Sequence, residues 1–218
     1  MTEAKRSETL VIRNFPDPFL SKKAVPWIDV VTEPSFVELL DALENTLVAH
    51  QAAGLAGPQV GIGYRILSVI IKDKPLTMIN PTVTKVYGEP DKAVEGCLSF
   101  PGLWLRVARR PEIEVEFTDR DGKQVKAVFE GQEARAVQHE IDHLDGINFI
   151  DRIPKVLRSQ ALKKYRLAPR VQRQQTEHMK AVIKRFNEQQ VTKKVVQVKA
   201  ETEAVLKEAV ATPETLSP

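Results

Sequence analysis

Apolar residues recur at helical spacing in two parts of the chain. Ser35 has the side chain of a typical helix N-cap, and the residues after it carry the first apolar stripe. This stripe consists of Phe36, Leu40, Leu43 and Leu47. A second stripe lies within residues 131–146, where Gly146 is suited to end a helix. It consists of Ala134, Val137, Ile141 and Leu144. The pattern therefore predicts two amphipathic helices.

The segments between these helices have the patterns of strands. Residues 64–71 and 75–80 are short apolar runs rich in β-branched side chains, punctuated by Asn80-Pro81, and they predict two strands with a turn between them. Within residues 113–129, alternating apolar and charged positions on either side of turn-forming residues predict a β-hairpin.

A glycine-rich segment separates the first predicted helix from the first predicted strand. Residues 52–63 contain four glycines and one proline, which favour a tightly turned loop. Strands followed by a late helix indicate an α+β fold. We expect small antiparallel or mixed sheets packed around the second helix, with an N-terminal helix and a basic C-terminal helical extension.

Composition narrows the class of protein. The chain has 218 residues, of which 42% are hydrophobic and 28% charged, as expected for one ordinary soluble domain with an appendage. No apolar run reaches the roughly 18 to 20 residues of a membrane span, and the first residues do not form a signal peptide, so we expect a cytoplasmic protein without a membrane partner. The single cysteine, Cys97, cannot form an internal disulfide, and a lone cysteine is usually a small buried hydrophobe.

The second predicted helix contains a candidate metal-binding pair. His139 and His143 are four residues apart, so both imidazoles project from one face and can bind one ion, with Glu140 beside them as a proton-transferring group. The pattern HExxH also arises by chance in charged helices. Two surface histidines with a solvated glutamate remain the alternative at this point.

A catalytic metal of this kind normally has three protein ligands and one open position. The metzincin pattern requires a histidine where this chain has Phe149, and the first glutamate after the motif, available to a thermolysin-like site, is Glu177 in the basic tail. The remaining soft ligand is Cys97. Two imidazoles and a thiolate suit one divalent ion such as Fe²⁺, Zn²⁺, Ni²⁺ or Co²⁺ rather than magnesium or calcium, and the choice among these four is open at this point.

Three ordered segments, AGLAGPQ (53–59), EGCLS (95–99) and QHEIDH (138–143), resemble the three motifs of peptide deformylases. The resemblance extends over roughly residues 10–153. It implies metal ligands Cys97, His139 and His143. It also implies hydrolysis of the formyl group from the N-terminal N-formylmethionine of a new polypeptide, by a metal-bound hydroxide with Glu140 as general acid and base.

The resemblance implies further site residues. Gln59 and the main-chain amide of Leu98 would stabilise the oxyanion, and each donor of this type contributes about 3 kcal/mol in comparable enzymes. The substrate-lining positions it implies are Gly54, Leu55 and Gly96, although core packing is an equal alternative for Leu55.

Other positions bear on the support of the metal site and on specificity for the substrate. The resemblance implies that Glu95 and Arg109 form a structural ion pair beneath the site, although a surface ion pair is the commoner outcome for such residues. The chain departs from the commonest motifs at Ala52 and Gly57, and it has Gly102, Leu103 and Trp104 where many bacterial members carry Glu-x-Arg. The sequence therefore does not determine how this chain recognises the part of the peptide that follows the methionine.

The charges are distributed unevenly along the chain. Residues 1–150 hold 17 Lys and Arg against 22 Asp and Glu, whereas residues 151–199 hold 14 against 3. We expect a catalytic domain at residues 1–153, a basic helical extension at 154–188 and a disordered tail at 189–218. The resemblance implies ribosome attachment through Lys155 to Arg185, since ribosomal RNA favours positive charge, although a solvated helix face is the alternative.

Two rival functions remain. A metallopeptidase that cleaves internal peptide bonds is disfavoured because no downstream ligand fits. A non-catalytic ribosome- or RNA-binding adaptor built on a decayed deformylase fold is disfavoured because the five motif residues are all present. These are Gln59, Cys97, His139, Glu140 and His143.

Overall fold

The computed structural model describes residues 9–28 and 34–166, which form an α+β fold. The helices are α1 (Pro34–Ala49), α2 (Gly131–Leu144) and α3 (Lys155–Arg166). The strands are β1 (Gly54–Ala56), β2 (Ile66–Ile71), β3 (Lys74–Tyr87), β4 (Asp91–Glu95), β5 (Leu105–Arg109), β6 (Glu112–Thr118) and β7 (Gln124–Glu130). Short 3-10 turns lie at Pro18–Ser21, Gly57–Val60 and Phe149–Arg152.

The strands form two antiparallel sheets. Five of them pair in the order β1-β2-β3-β6-β7, and β4 pairs with β5 in a separate two-stranded sheet. Neighbouring residues of β2 point to opposite faces of the larger sheet, so Leu67 packs in the cluster with α2 and Ile66 packs in the cluster with α1. Both predicted helices are confirmed, and each buries its apolar stripe on one face of this sheet.

Two local predictions were wrong. The segment predicted as a continuous loop contains β1 and the 3-10 turn Gly57–Val60. The second predicted strand does not end at Asn80-Pro81, since β3 continues to Tyr87. The ladder between β3 and β6 has a register shift at this point, where Asn80 has a φ of 54° and a proline is tolerated in a sheet. The side chain of Asn80 exchanges two 2.8 Å hydrogen bonds with the main chain of Trp27.

A third core cluster joins the two-stranded sheet to the chain that follows α2. It contains Phe100 and Val107 together with Phe149, Ile150 and Tyr165. Tyr165 is buried, so α3 packs on the core through its last turn. No helix within the described ranges is long and apolar enough to cross a membrane.

The C-terminal predictions are tested only in part. The chain divides into a unit of Met1–Val171 and a unit of Gln172–Pro218. Helix α3 is the first part of the predicted basic extension. The remainder of that extension, the predicted tail at 189–218 and the second unit lie outside the described residues, so the proposed domain boundaries stay predictions.

Candidate metal centre

Helix α2 and the turn after β4 bring three metal-ligating side chains together. His139 and His143 project from one face of α2, and Cys97 lies two residues beyond the end of β4. Their ligand atoms all lie within 4.8 Å of one another, and Cys97 Sγ is 3.3 Å from His143 Nε2. Both histidines are buried. The geometry therefore brings Cys97 to two histidines that lie more than 40 positions later in the sequence.

The orientation of His139 is set by Glu95. Its Nδ1 lies 3.0 Å from Glu95 Oε2, so the carboxylate accepts the Nδ1–H and the other ring nitrogen is left to face Cys97 and His143. Burial alone would raise the pKa of Glu95, but hydrogen bonds from His139 and Arg109 outweigh it and lower the pKa to about 2. Glu95 is therefore a carboxylate at neutral pH.

A buried network of ion pairs holds Glu95 in place. Arg109 donates from Nε and Nη2 to the two carboxylate oxygens, at 2.9 and 3.0 Å, and Arg135 donates to Oε1 at 2.8 Å. The predicted ion pair between Glu95 and Arg109 is thus present. Arg109 also donates to Asp142 on α2, which in turn accepts from Arg152. We call the buried residues Glu95, Arg109 and Asp142, together with the more exposed Arg152, the buried brace, which connects β4, β5, α2 and the turn Phe149–Arg152.

The two histidines differ in the direction of their pKa shifts. Burial lowers the pKa of His143 well below 6.5, and the nearby charges of His139 and Arg109 lower it further, so its imidazole is neutral and can coordinate. Burial also opposes protonation of His139, but hydrogen bonds with Cys97 and Glu95 outweigh it and raise the pKa to about 10. A soft thiolate and two imidazoles together fit a divalent transition metal, for which His139 would release its proton.

Glu140 lies beside these ligands in a pocket that Gly54 makes possible. Its side chain is buried, and its Oε2 has no hydrogen-bond partner among the described residues. Burial raises the pKa of Glu140 to about 7, against the opposing charges of His139 and Arg109. A Cβ on Gly54 would lie 2.5 Å from Glu140 Oε1, so any side chain at position 54 would displace the carboxylate. Such a group can exchange protons near neutral pH.

Gln59 directs its amide toward the ligand cluster. The side chain is buried, and its Oε1 accepts a 2.8 Å hydrogen bond from the amide of Ala56. Because the oxygen is engaged there, the Nε2 end faces the cluster, 3.5 Å from Cys97 Sγ and 3.4 Å from Ser99 Oγ. The Leu98 side chain packs against the α1 cluster, so any contribution of Leu98 to the site comes from its main chain.

The predicted substrate-lining residues differ in which of their atoms are accessible to a substrate. The Leu55 side chain is fully buried with Leu40 and Leu43, so only its main chain is available. Gly96 lies under the ring of Trp104, where a Cβ would come within 2.7 Å of the indole. Sequence reasoning missed Arg135, Asp142 and Arg152. Asp142 lies within the third motif, but no local pattern indicates its arginine partners.

Comparison with known proteins identifies the family. The model of the polypeptide deformylase family matches residues 9–159, well over half of the chain. The chain belongs to the peptide deformylase family. Its activity is therefore peptide deformylation, a hydrolysis that belongs to protein biosynthesis and acts on formylated peptides.

Peptide deformylases from other organisms are similar to this chain over most of their own length. The peptide deformylase of Desulforudis audaxviator is 43% identical over 142 residues, which cover 65% of this chain and 91% of that protein. The deformylase of Thermotoga petrophila is 37% identical over 153 residues, covering 70% of this chain and 92% of its own. Both alignments are shorter than this chain, which extends beyond the region that the deformylases share.

Solved deformylase structures have the same fold. The Legionella pneumophila deformylase superposes with a TM-score of 0.69 at 32% identity, covering 75% of this chain and 97% of that one. A deformylase from Acinetobacter baumannii in complex with Met-Ala-Ser superposes with a TM-score of 0.65 at 31% identity, covering 67% and 99%. The α+β fold predicted from the sequence is thus confirmed as that of deformylases.

Proposed function

We propose that Cys97, His139 and His143 bind one divalent metal, with Fe²⁺ as the first candidate, and that Glu140 is the general acid and base of the deformylation reaction. The observation that carries this proposal is the convergence of the three ligand atoms within 4.8 Å beside a buried carboxyl group. The substrate is the formyl-methionine end of a newly synthesised polypeptide. We propose the cytoplasm as its compartment, because that is where such polypeptides are made.

Each step of the reaction is assigned to a group of this chain. When bound, a divalent metal supplies Lewis acidity and lowers the pKa of a coordinated water. Glu140 takes the proton of the attacking water and delivers it to the methionine nitrogen as the bond from that nitrogen to the formyl carbon breaks. Gln59 Nε2 and the Leu98 main-chain N–H donate to the oxyanion that forms at the formyl carbon. The products are formate and a free amino terminus.

The edge of β1 is the proposed docking strand for the peptide. β1 ends the five-stranded sheet, and Ile70 N donates to Ala53 O at 2.9 Å on its paired side. In an antiparallel ladder the hydrogen-bonding direction alternates, so the main-chain groups of Gly54 point to the opposite side. An extended peptide can pair there as an added strand, with Gly96 lining the other side of its path. The Acinetobacter baumannii relative was solved with Met-Ala-Ser bound, which supports a short peptide as the ligand of this site.

Metal dependence tests the proposed site. We expect protein purified without oxygen to contain about one divalent ion per chain, mostly iron, and to deformylate formyl-Met-Ala-Ser in proportion to the metal bound. Chelation should abolish formate release, and added Fe²⁺ should restore it, because the three ligands are retained in the apoprotein. Elemental analysis and a formate assay on the same samples provide the measurement. Full activity after complete chelation would rule out the metal site, whereas zinc as the native ion would change only the choice of metal.

We also propose that the basic extension attaches the enzyme to ribosomes. Three lysines of α3, Lys155, Lys163 and Lys164, are exposed, whereas Tyr165 is buried in the core and holds the helix against the domain. Lysines on one anchored helix can replace counterions along an RNA backbone, and binding of this kind weakens as salt increases. The rest of the proposed surface, to Arg185, lies outside the described residues.

Charge neutralisation tests this attachment better than truncation, because a cut after Pro154 would also remove Tyr165 from the core. Changing Lys155, Lys163 and Lys164 together to glutamine should reduce co-sedimentation with ribosomes at low salt by several-fold and leave the rate on a free tripeptide unchanged. A matched control changes three exposed lysines elsewhere, at Lys72, Lys74 and Lys92. Equal sedimentation of the two triple variants would contradict a specific role for α3.

A further inference from the structure

Trp104 lies directly over the main chain that leads into Cys97. The β4–β5 ladder pairs Val94 with Arg106 and Glu95 with Leu105, and one more step of this register sets Trp104 opposite Gly96. Three ring atoms of the indole lie within 2.9 Å of where a Gly96 Cβ would be. The indole therefore rests on Gly96, one residue away from a ligand of the candidate metal centre.

Most of this indole faces solvent. Trp104 is 68% exposed, and the same side of the two-stranded sheet carries the exposed residues Val94 and Arg106. The chain's other tryptophan, Trp27, stacks on Phe36 with ring centroids 4.0 Å apart. A large apolar ring left in water beside a catalytic centre is a surface suited to contact with a ligand. Contact with Gly96 uses only a small part of that surface.

A peptide whose formyl group lies at the ligand cluster would extend its later residues along Gly96 toward this surface. An extended chain advances about 3.3 Å per residue, so the third residue lies roughly 7 Å beyond the methionine. Gly96 lines the proposed path, and the indole covers Gly96. On this path the side chain of the third residue would lie beside the exposed ring, whereas the formyl group would stay at the ligand cluster.

We propose that Trp104 is a specificity-determining residue whose exposed face binds the side chain of the third substrate residue and favours aromatic residues there. The inference rests on the proposed function of the site around Cys97. An aromatic side chain gains from offset or edge-to-face packing on an indole, and the strength of such pairs corresponds to roughly a 2- to 10-fold preference. Serine at the same position has no ring and gains little from this contact.

A pair of peptides and a set of variants test this assignment. We expect the wild-type enzyme to have a several-fold higher kcat/KM for formyl-Met-Ala-Phe than for formyl-Met-Ala-Ser, through a lower KM. Trp104→Ala should bring this ratio close to one, and Trp104→Phe should retain part of it. Tyr87→Ala, which removes an exposed aromatic ring from β3, should leave the ratio unchanged and serves as the matched control.

The kinetic results distinguish failure of the Trp104 proposal from failure of the proposed function of the metal centre. If Trp104 only protects Gly96, Trp104→Ala will lower kcat/KM for both peptides by the same factor, and that result would overturn the proposal. Equal kcat/KM for the two peptides in the wild type would overturn it as well. Absence of formate release from either peptide would instead contradict the proposed function of the centre.

Tryptophan fluorescence provides a readout independent of turnover. The chain has two tryptophans, so Trp104→Phe leaves Trp27 as the background emitter. Binding of the product Met-Ala-Phe should shift the wild-type emission to shorter wavelength and protect it from acrylamide quenching, because the ring leaves water. Both changes should disappear in Trp104→Phe. The same shift in wild type and variant would show that the peptide does not contact Trp104.

Discussion

Replacing Glu140 with glutamine should lower kcat/KM for formyl-Met-Ala-Ser by roughly 10²- to 10⁴-fold, the range that general acid–base groups contribute. Glutamine has nearly the same shape as glutamate, so it can occupy the pocket against Gly54, but its amide cannot take up and return a proton. The bound metal should remain, because Cys97, His139 and His143 are unchanged. Steady-state kinetics and metal analysis, carried out on the same preparations, compare kcat/KM and metal content between the variant and the wild type.

A matched control separates proton transfer from a general loss of negative charge on α2. Glu133 lies in the first turn of the same helix, and its carboxylate accepts a hydrogen bond from the amide of Lys72, away from the ligand cluster. Glu133→Gln should retain activity within about twofold of the wild type, as is usual for changes remote from a catalytic group. If Glu140→Gln were as active as Glu133→Gln, Glu140 could not be the proton-transferring residue.

Replacing Cys97 with alanine should remove both metal and activity. Two imidazoles remain, and loss of the thiolate should weaken metal retention by more than the 10- to 100-fold that changes in the supporting residues of metal sites typically cause. The fold should survive, since Cys97 is only partly buried at the margin of the third core cluster. Elemental analysis after dialysis and a formate assay measure the two losses.

Thermal unfolding distinguishes loss of the metal site from loss of the fold. A ligand that binds only the native state stabilises it by RT ln(1 + L/Kd), where L is the concentration of free ligand, so the melting temperature increases with that concentration. Added Fe²⁺ should therefore raise the Tm of the metal-free wild type, and the Tm of Cys97→Ala should not respond over the same concentrations. Val94→Ala, an exposed position on β4, should respond as the wild type does. A metal-dependent Tm in Cys97→Ala would contradict the assignment of the thiolate as a ligand.

Local patterns were sufficient for α1, for α2 and for the two histidines of the candidate metal centre. The stripe ending at Leu144 forms α2, and the four-residue spacing of His139 and His143 translates directly into a shared face. The strand β3 was predicted too short because Asn80-Pro81 is typical of a turn, and only the register shift against β6 shows how the sheet accommodates it.

The environment of the site could not be predicted in the same way, because it depends on contacts between distant segments. Nothing near Gly54 indicates that Glu140 will press against it, and nothing near Gly96 indicates that Trp104 will cover it. The sheet formed by β4 and β5 was not predicted either, since several of its exposed positions are charged and its apolar alternation is short. Such relations appear only once the chain is folded.

Because of the buried brace, retention of the proposed metal would indicate that the two sheets are docked correctly. Cys97 follows the small sheet and the two histidines lie on the helix of the large one, so the three ligands meet only when both sheets are docked. Arg109 reaches from β5 to Asp142 on α2 and thereby maintains that docking. Substitutions that loosen the brace should therefore be detected first as loss of metal from an otherwise folded protein, well before the secondary structure changes.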